Sequence, residues 1–509
     1  MLLLAGLAFA LPAETHVQIH SRLMAAVDAP AKHGCLTPLV AELKQHWSEF
    51  TPAERAHATA VLAPSRVDLF TPNQLRTGPP PPPASDSCVG QQMNHRVVGT
   101  HFVVEWDAGI TEATANTFLD ALEHSYEVEV EDMGWLAPQG DGQYLLPAYV
   151  ENQNTNGAYT YVQECHNEYM PYISTGKNSW QDPDWGDTMA SHEFNHTLQF
   201  HYSFAPQLWW WEATATWIES YVYPSITEWS WYVQGYTENP QIAFSASDQQ
   251  DQDIFYHMYG MALWAFYVDE YMGGQEKVRE IWENSRRDHG TDDLTISDMM
   301  DELEVDWEAA FVDFTARNAV MDYNEHAILP AMKMVDTVDS FPAEGESSRS
   351  TKPQGYGENY VKFEKGFDDG TLTVNFTGDS NVDWSIQLVE ATRSSVERSV
   401  VAHIEGGEGS VSMEDVGSND VYLVMSPLKD KESEYSYSWS ADVEASSNPD
   451  PDSGESQDTG RSNGGDVSDD GGEKISIGQA CACASGSSPQ WSFAAAALAG
   501  AVTMRRRRR

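Results

Sequence analysis

The chain has 509 residues, 41% of them hydrophobic, with 78 Asp and Glu against 29 Lys and Arg and a formal net charge of −49. That is too long for one ordinary domain and apolar enough for a sizeable core. So acidic a surface repels nucleic acid and anionic membranes and favours solubility, so no nucleic-acid partner is expected.

Residues 1–16 open with the apolar run Leu2, Leu3, Leu4, Leu7 and Phe9 and then small residues, the pattern of the later part of a secretory signal peptide. Residues 17–78 carry helical patterns at 36–47 and 52–62 and form either a pro-region or a small structural cap. The five consecutive prolines from Pro79 to Pro83 make residues 79–87 a stiff linker. Of the five cysteines, Cys481 and Cys483 lie near the C-terminus, leaving Cys35, Cys88 and Cys165 in the body. An odd number allows at most one internal bridge there; Cys88 with Cys165 is expected, and Cys35 is an alternative partner for either.

Residues 88–334 read as the catalytic domain. A strand is expected at 101–106, then a helix whose Ala115, Phe118, Leu119, Leu122 and Tyr126 recur at helical spacing. Strands follow at 144–150 and 158–162, and a weaker one at 169–174 that Pro171 would confine to an edge. A helix is predicted over 188–202 with Asp187 as N-cap. It carries His192-Glu193-Phe194-Asn195-His196. Histidines four apart on a helix stand one turn above each other, where two imidazoles can hold one ion. Zinc (Zn2+) suits imidazole and carboxylate ligands and leaves a position for water in catalytic sites. Glu193 is placed to take that water's proton. The plainer reading is an amphipathic helix with two satisfied histidines. What favours metal is Glu212, amid Trp209, Trp210 and Trp211 on a second predicted helix. An unpaired carboxylate there is costly, and a metal would satisfy it as third ligand. Glu219 shares a face with Glu212 and either orients a ligand histidine or is a structural carboxylate.

The two segments resemble the gluzincin metallopeptidases, the thermolysin and membrane-alanyl-aminopeptidase group, and within it uncharacterised secreted metalloproteases of myxobacteria. There the third ligand comes from a Trp-Leu-x-Glu-Gly-x-Ala-x-Tyr-x-Glu helix, on which Trp209, Glu212, Ala215, Trp217 and Glu219 fall. Ala213 departs from the usual Gly, and the gap between His196 and Glu212 is a few residues short of the aminopeptidases'. The likeness spans roughly residues 95 to 290. It implies that a Tyr or His from the apolar run at 255–264 steadies the oxyanion, with Tyr259, His257 and Tyr256 as candidates; each is equally suited to plain packing. It also implies that Gly157-Ala158-Tyr159-Thr160 stands where those relatives carry a substrate-pairing edge strand, an ordinary sheet strand being the plainer alternative. Thr160 replaces the Glu that grips a free amino terminus, which argues for endopeptidase action.

Further helix is expected at 277–283 and 307–323. Residues 335–445 then alternate at 360–363, 372–376, 384–388, 400–404 and 421–425, the pattern of a β-sandwich with an accessory role. Residues 446–474 read as an acidic disordered tether. Residues 475–509 hold Cys481-Ala482-Cys483, an apolar run and Arg505 to Arg509. This order resembles the myxobacterial C-terminal sorting signal; a metal or disulfide pair is the alternative. The expected whole is an α+β protein: a gluzincin-like catalytic domain of mixed sheet and active-site helices, followed by a β-sandwich domain. It would act as an exported zinc metallopeptidase on peptide or protein substrates, meeting a membrane only through its C-terminal tail. The rivals are a zinc hydrolase of another amide bond and an inactive surface scaffold.

Overall fold

The computed structural model describes residues 50–51, 91–165, 168–248, 251–285, 294–366, 370–430 and 432–445. All belong to the first of two compact units, residues 1–447. The expected signal peptide, proline linker, acidic tether, sorting tail and all five cysteine side chains lie outside the described residues, as does the N-terminal region except Phe50 and Thr51. Phe50 is buried in the main core. Among the described residues no helix is long and apolar enough to cross a membrane.

The fold is α+β, as the residue pattern predicts. Its first layer is a mixed sheet of β1 (His95–Val98), β2 (Phe102–Trp106), β3 (Leu146–Glu151), β4 (Ala158–Cys165) and β5 (Glu168–Gly176), in the order β1-β2-β3-β5-β4. β2, β3 and β5 run parallel. β2 and β3 are buried at every position, which explains their near-continuous apolar sequence. Pro171 is not on an edge strand, because β5 lies between β3 and β4. β3 pairs only with Ile173 to Gly176, however, so at Pro171 the strand has β4 alone beside it and no second ladder for a missing N–H to break.

α1 (Glu112–Tyr126) is N-capped by Thr111, whose hydroxyl accepts from the Thr114 amide at 3.1 Å. Its predicted stripe is buried, and it runs on into a π-helical turn at Glu127–Asp132. α2 (Pro183–Tyr202) starts five residues before the expected point. Pro183 takes the first helical position, where its missing N–H is no loss, and Asp182 rather than Asp187 is the N-cap residue. α2 packs on α1, β4 and β5. The helices α3 (Leu208–Val222), α4 (Trp229–Glu238), α5 (Gln252–Gly260), α6 (Ala262–Met272), α7 (Gln275–Asn284), α8 (Ile296–Glu302) and α9 (Trp307–Asn318) complete this part. The apolar run from Phe255 is two helices, broken at Met261 after Gly260. α4 and α5 meet backbone to backbone: a Cβ on Gly235 would stand 2.2 Å from the Tyr256 carbonyl oxygen, and one on Gly260 2.6 Å from the Tyr236 nitrogen.

The second part is a sandwich built from β6 (Met334–Val338), β7 (Ala343–Glu346), β8 (Asn359–Phe363), β9 (Gly370–Gly378), β10 (Trp384–Ala391), β11 (Val396–Ile404), β12 (Glu408–Val416), β13 (Asp420–Pro427) and β14 (Tyr437–Ala445). One sheet has the order β11-β10-β13-β8-β6, the other β12-β9-β14-β7. Phe363, Leu372, Phe376, Trp384, Leu388, Leu423 and Trp439 fill the space between them. β10 is buried at every position, not on one face as alternation suggests, because α9 covers its other side. There Gln387 donates to the Thr315 hydroxyl at 2.7 Å and Tyr360 to the Thr315 carbonyl at 3.0 Å.

Candidate metal centre

α2 carries His192, Glu193 and His196 along its buried length, and α3 turns back beside it after the loop at 203–207. The Trp211 indole closes that turn by donating to the Pro206 carbonyl at 3.0 Å. Trp209, Trp210 and Trp211 are fully buried and draw α3 into the core, taking Glu212 with them. Glu212 Oε2 lies 3.0 Å from His192 Nε2, and its Oε1 lies 3.7 Å from His196 Nε2. Ligand atoms of His192, His196 and Glu212 all lie within 4.8 Å of one another. The three form a buried triad that could hold a metal ion. The set fits one on its own chemistry: two imidazole nitrogens and a carboxylate converge, and buried Glu212 Oε1 accepts no hydrogen bond among the described residues.

Charge arranges the rest. Glu219 Oε1 sits 2.9 Å from His192 Nδ1, so two carboxylates flank one imidazole. Burial alone would lower the His192 pKa, but its hydrogen bonds to Glu212 and Glu219 and their charges raise it to about 10. Burial lowers His196 to about 4 against the pull of Glu212. Burial raises the Glu219 carboxyl, and His192 opposes that. Of these groups only His192 is drawn towards its charged form, by the two carboxylates that flank it.

Glu193 is 1% exposed. Thr160 of β4, the strand at the end of the sheet order, places its hydroxyl 2.8 Å from both Glu193 Oε2 and the Glu193 carbonyl oxygen. Tyr259 stacks on His192 with ring centres 5.8 Å apart, and Tyr232 stacks on Tyr259 at 5.1 Å. Tyr256 instead meets Trp231, which is 53% exposed, at 5.2 Å. His257 packs edge-on against Tyr236 at 5.5 Å, and neither of its ring nitrogens has a hydrogen-bond partner among the described residues. Burial lowers its pKa to about 3, which keeps it neutral. So the structure gathers His192, His196, Glu212, Glu219 and Tyr259, with Glu193 between the two histidines on α2, and sets His257 in a different neighbourhood. Gln199, 2.7 Å from His196 Nδ1, was not anticipated. Its place three residues after His196 and seven after His192, on their helical face, was the available signal.

No curated protein matches this chain. Among solved structures, tripeptidyl peptidase 2 aligns at 5% identity and a TM-score of 0.19, over 23% of this chain and 11% of its own length. The pre-peptidase C-terminal domain of the collagenase from Bacillus anthracis aligns at 8% identity and a TM-score of 0.16, over 22% of this chain and 99% of that one. A CBM4 structure aligns at 7% identity and a TM-score of 0.13, over 21% and 74%. The chain thus spans about a tenth of the length of tripeptidyl peptidase 2, and likenesses at these scores decide nothing about it. A family profile, in contrast, matches residues 67–434, well over half of the sequence. The chain belongs to that family, the family of unknown function DUF6055.

Proposed function

We propose that this protein is an exported zinc metallopeptidase of gluzincin type that cleaves peptide bonds within chains. One observation carries the reading: His192, His196 and Glu212 converge in a buried triad, on the same helix as Glu193 in the case of the two histidines. His192, His196 and Glu212 would hold the zinc, which would supply Lewis acidity and lower the pKa of a water to roughly 7. Glu193, whose Oε2 lies 2.8 Å from the Thr160 hydroxyl, is the residue that would accept a proton from water and return it to the leaving amine. The Tyr259 hydroxyl is the donor nearest in kind to what a developing oxyanion needs, and the stack on His192 fixes its ring. The position of β4 at the sheet's end supports a peptide substrate, since an extended chain can pair with such a strand. Thr160, where aminopeptidases carry a Glu for the free amino terminus, supports cleavage inside chains.

The near-closure of the site, with His192 its most exposed ligand at 6%, favours as second reading a zinc hydrolase of a small amide. Metal analysis with casein digestion separates these, run on wild type and Glu193→Gln. One zinc per chain in both, with activity at least roughly 100-fold lower in the variant, is the expected result. Zinc without casein cleavage in the wild type points to the small amide. Absence of bound metal refutes both and leaves a surface scaffold.

A further inference from the structure

The two imidazoles of the triad are held by unlike partners. His192 leans on the carboxylate of Glu219, whereas His196 Nδ1 faces the side-chain amide of Gln199. Gln199 Nε2 lies 2.8 Å from Asn195 Oδ1, 3.0 Å from the Trp211 carbonyl oxygen and 2.8 Å from Thr214 Oγ1. A backbone carbonyl can only accept, so the amide atom facing Trp211 is the NH2 group. The Thr214 hydroxyl has its own proton committed to the Trp210 carbonyl at 2.8 Å, and so it accepts as well. That leaves Gln199 Oε1 against His196, and an oxygen there requires the imidazole proton on Nδ1. The lone pair of His196 is then on Nε2, the nitrogen that faces Glu212.

The same logic runs the other way. The two protons of the Gln199 NH2 are shared among three acceptors, and an Asn195 NH2 facing it would repel, so Asn195 turns Oδ1 to Gln199 and Nδ2 to Glu129 Oε2, 3.0 Å away. Glu129 is fully buried and belongs to the π-helical turn after α1. Such turns, rare in proteins, recur at functional sites because the wider coil re-aims side chains. The Gln199 amide is thus oriented by the Trp211 carbonyl and the Thr214 hydroxyl, with Asn195 and Glu129 behind it.

We propose that Gln199 is a positioning residue that dictates which nitrogen of His196 is offered to the metal, with Asn195 and the π-turn Glu129 as its buried support. The inference rests on the triad being a metal centre, and deepens it. An amide does this without adding charge to a pocket that already holds the carboxylates of Glu212 and Glu219.

The test is equilibrium binding of Zn2+ and Co2+, with the visible spectrum of the Co2+ form, to full-length wild type, Gln199→Met and Gln199→Glu. Gln199→Met keeps the length and loses the acceptor; it should bind both metals roughly 10–100-fold more weakly and shift the Co2+ bands. Gln199→Glu keeps an oxygen that accepts from His196 Nδ1; it should stay within roughly threefold of wild type. Wild-type affinity and an unchanged Co2+ spectrum in Gln199→Met overturn the inference. So does an equal loss in a folded Gln199→Glu, which would mark Gln199 as packing alone. Failure of the wild type to bind either ion overturns the metal centre itself, a result distinguishable from both.

Discussion

Glu358 offers the sharpest test of the electrostatics. It stands just before β8, 1% exposed, where the sandwich meets the helical part. The Tyr236 hydroxyl donates to its Oε1, and the Tyr360 hydroxyl lies 3.3 Å from the same oxygen. Asn318 donates to Tyr236 at 2.8 Å and accepts from Tyr323 at 2.6 Å, so the cluster is largely satisfied. No cation is paired with the carboxyl among the described residues, and burial raises its pKa from 4.5 to about 8 against the tyrosine hydrogen bonds. A carboxyl raised by folding holds its proton longer than the unfolded chain does. Its contribution is therefore present below pH 4.5 and lost as pH rises towards about 8. At about 1.4 kcal/mol per pH unit, the whole window amounts to an upper figure of roughly 5 kcal/mol. Urea unfolding of wild type and Glu358→Gln at pH 5, 6, 7 and 8 measures it, because the other carboxylates cancel in the difference. The substituted amide keeps an acceptor for the Tyr236 hydroxyl and does not titrate. The variant should gain on wild type with rising pH, by roughly 3 kcal/mol between pH 5 and 8. Parallel stability curves would refute a neutral Glu358.

Two further outcomes concern the candidate metal centre. Glu219→Gln keeps an acceptor near His192 Nδ1 but removes the charge, so zinc affinity should fall roughly tenfold in competition with a chromophoric chelator, with the fold intact. Trp231→Ala removes the exposed end of the ring series Trp231, Tyr232, Tyr259, which ends on His192. KM for long peptides should rise severalfold with kcat unchanged, as expected when binding is lost equally from ground and transition states; unchanged kinetics would place Trp231 outside the substrate path.

What was legible in the sequence was what local periodicity encodes. The α1 stripe, the helical pairing of His192 with His196 and the sandwich strands each follow from residue spacing within one element. Glu212 was legible for a different reason: a carboxylate among three tryptophans demands a partner, wherever the partner comes from. What stayed hidden depends on a second element arriving. Gln199 is an ordinary polar residue until α3 brings the Trp211 carbonyl and Thr214 to it. Glu129 reads as one acid among 78 Asp and Glu until a π-turn aims it at Asn195. β10 alternates weakly because α9 buries a face that alternation assigns to water.

The choice between His257 and Tyr259 lies between these cases. Residues two apart on a helix point about 200° from each other, so both could not have faced one triad. The period alone required a choice, and it did not say which. The choice is made where Gly235 and Gly260 let α4 close on α5, because that approach seats Tyr232 over Tyr259 and Tyr259 over His192. His257, on the opposite side of α5, is left against Tyr236, whose hydroxyl donates to Glu358. One helix thus serves the candidate metal centre with one face and the seam to the sandwich with the other. The two glycines that set its position therefore matter to both, although neither touches a ligand.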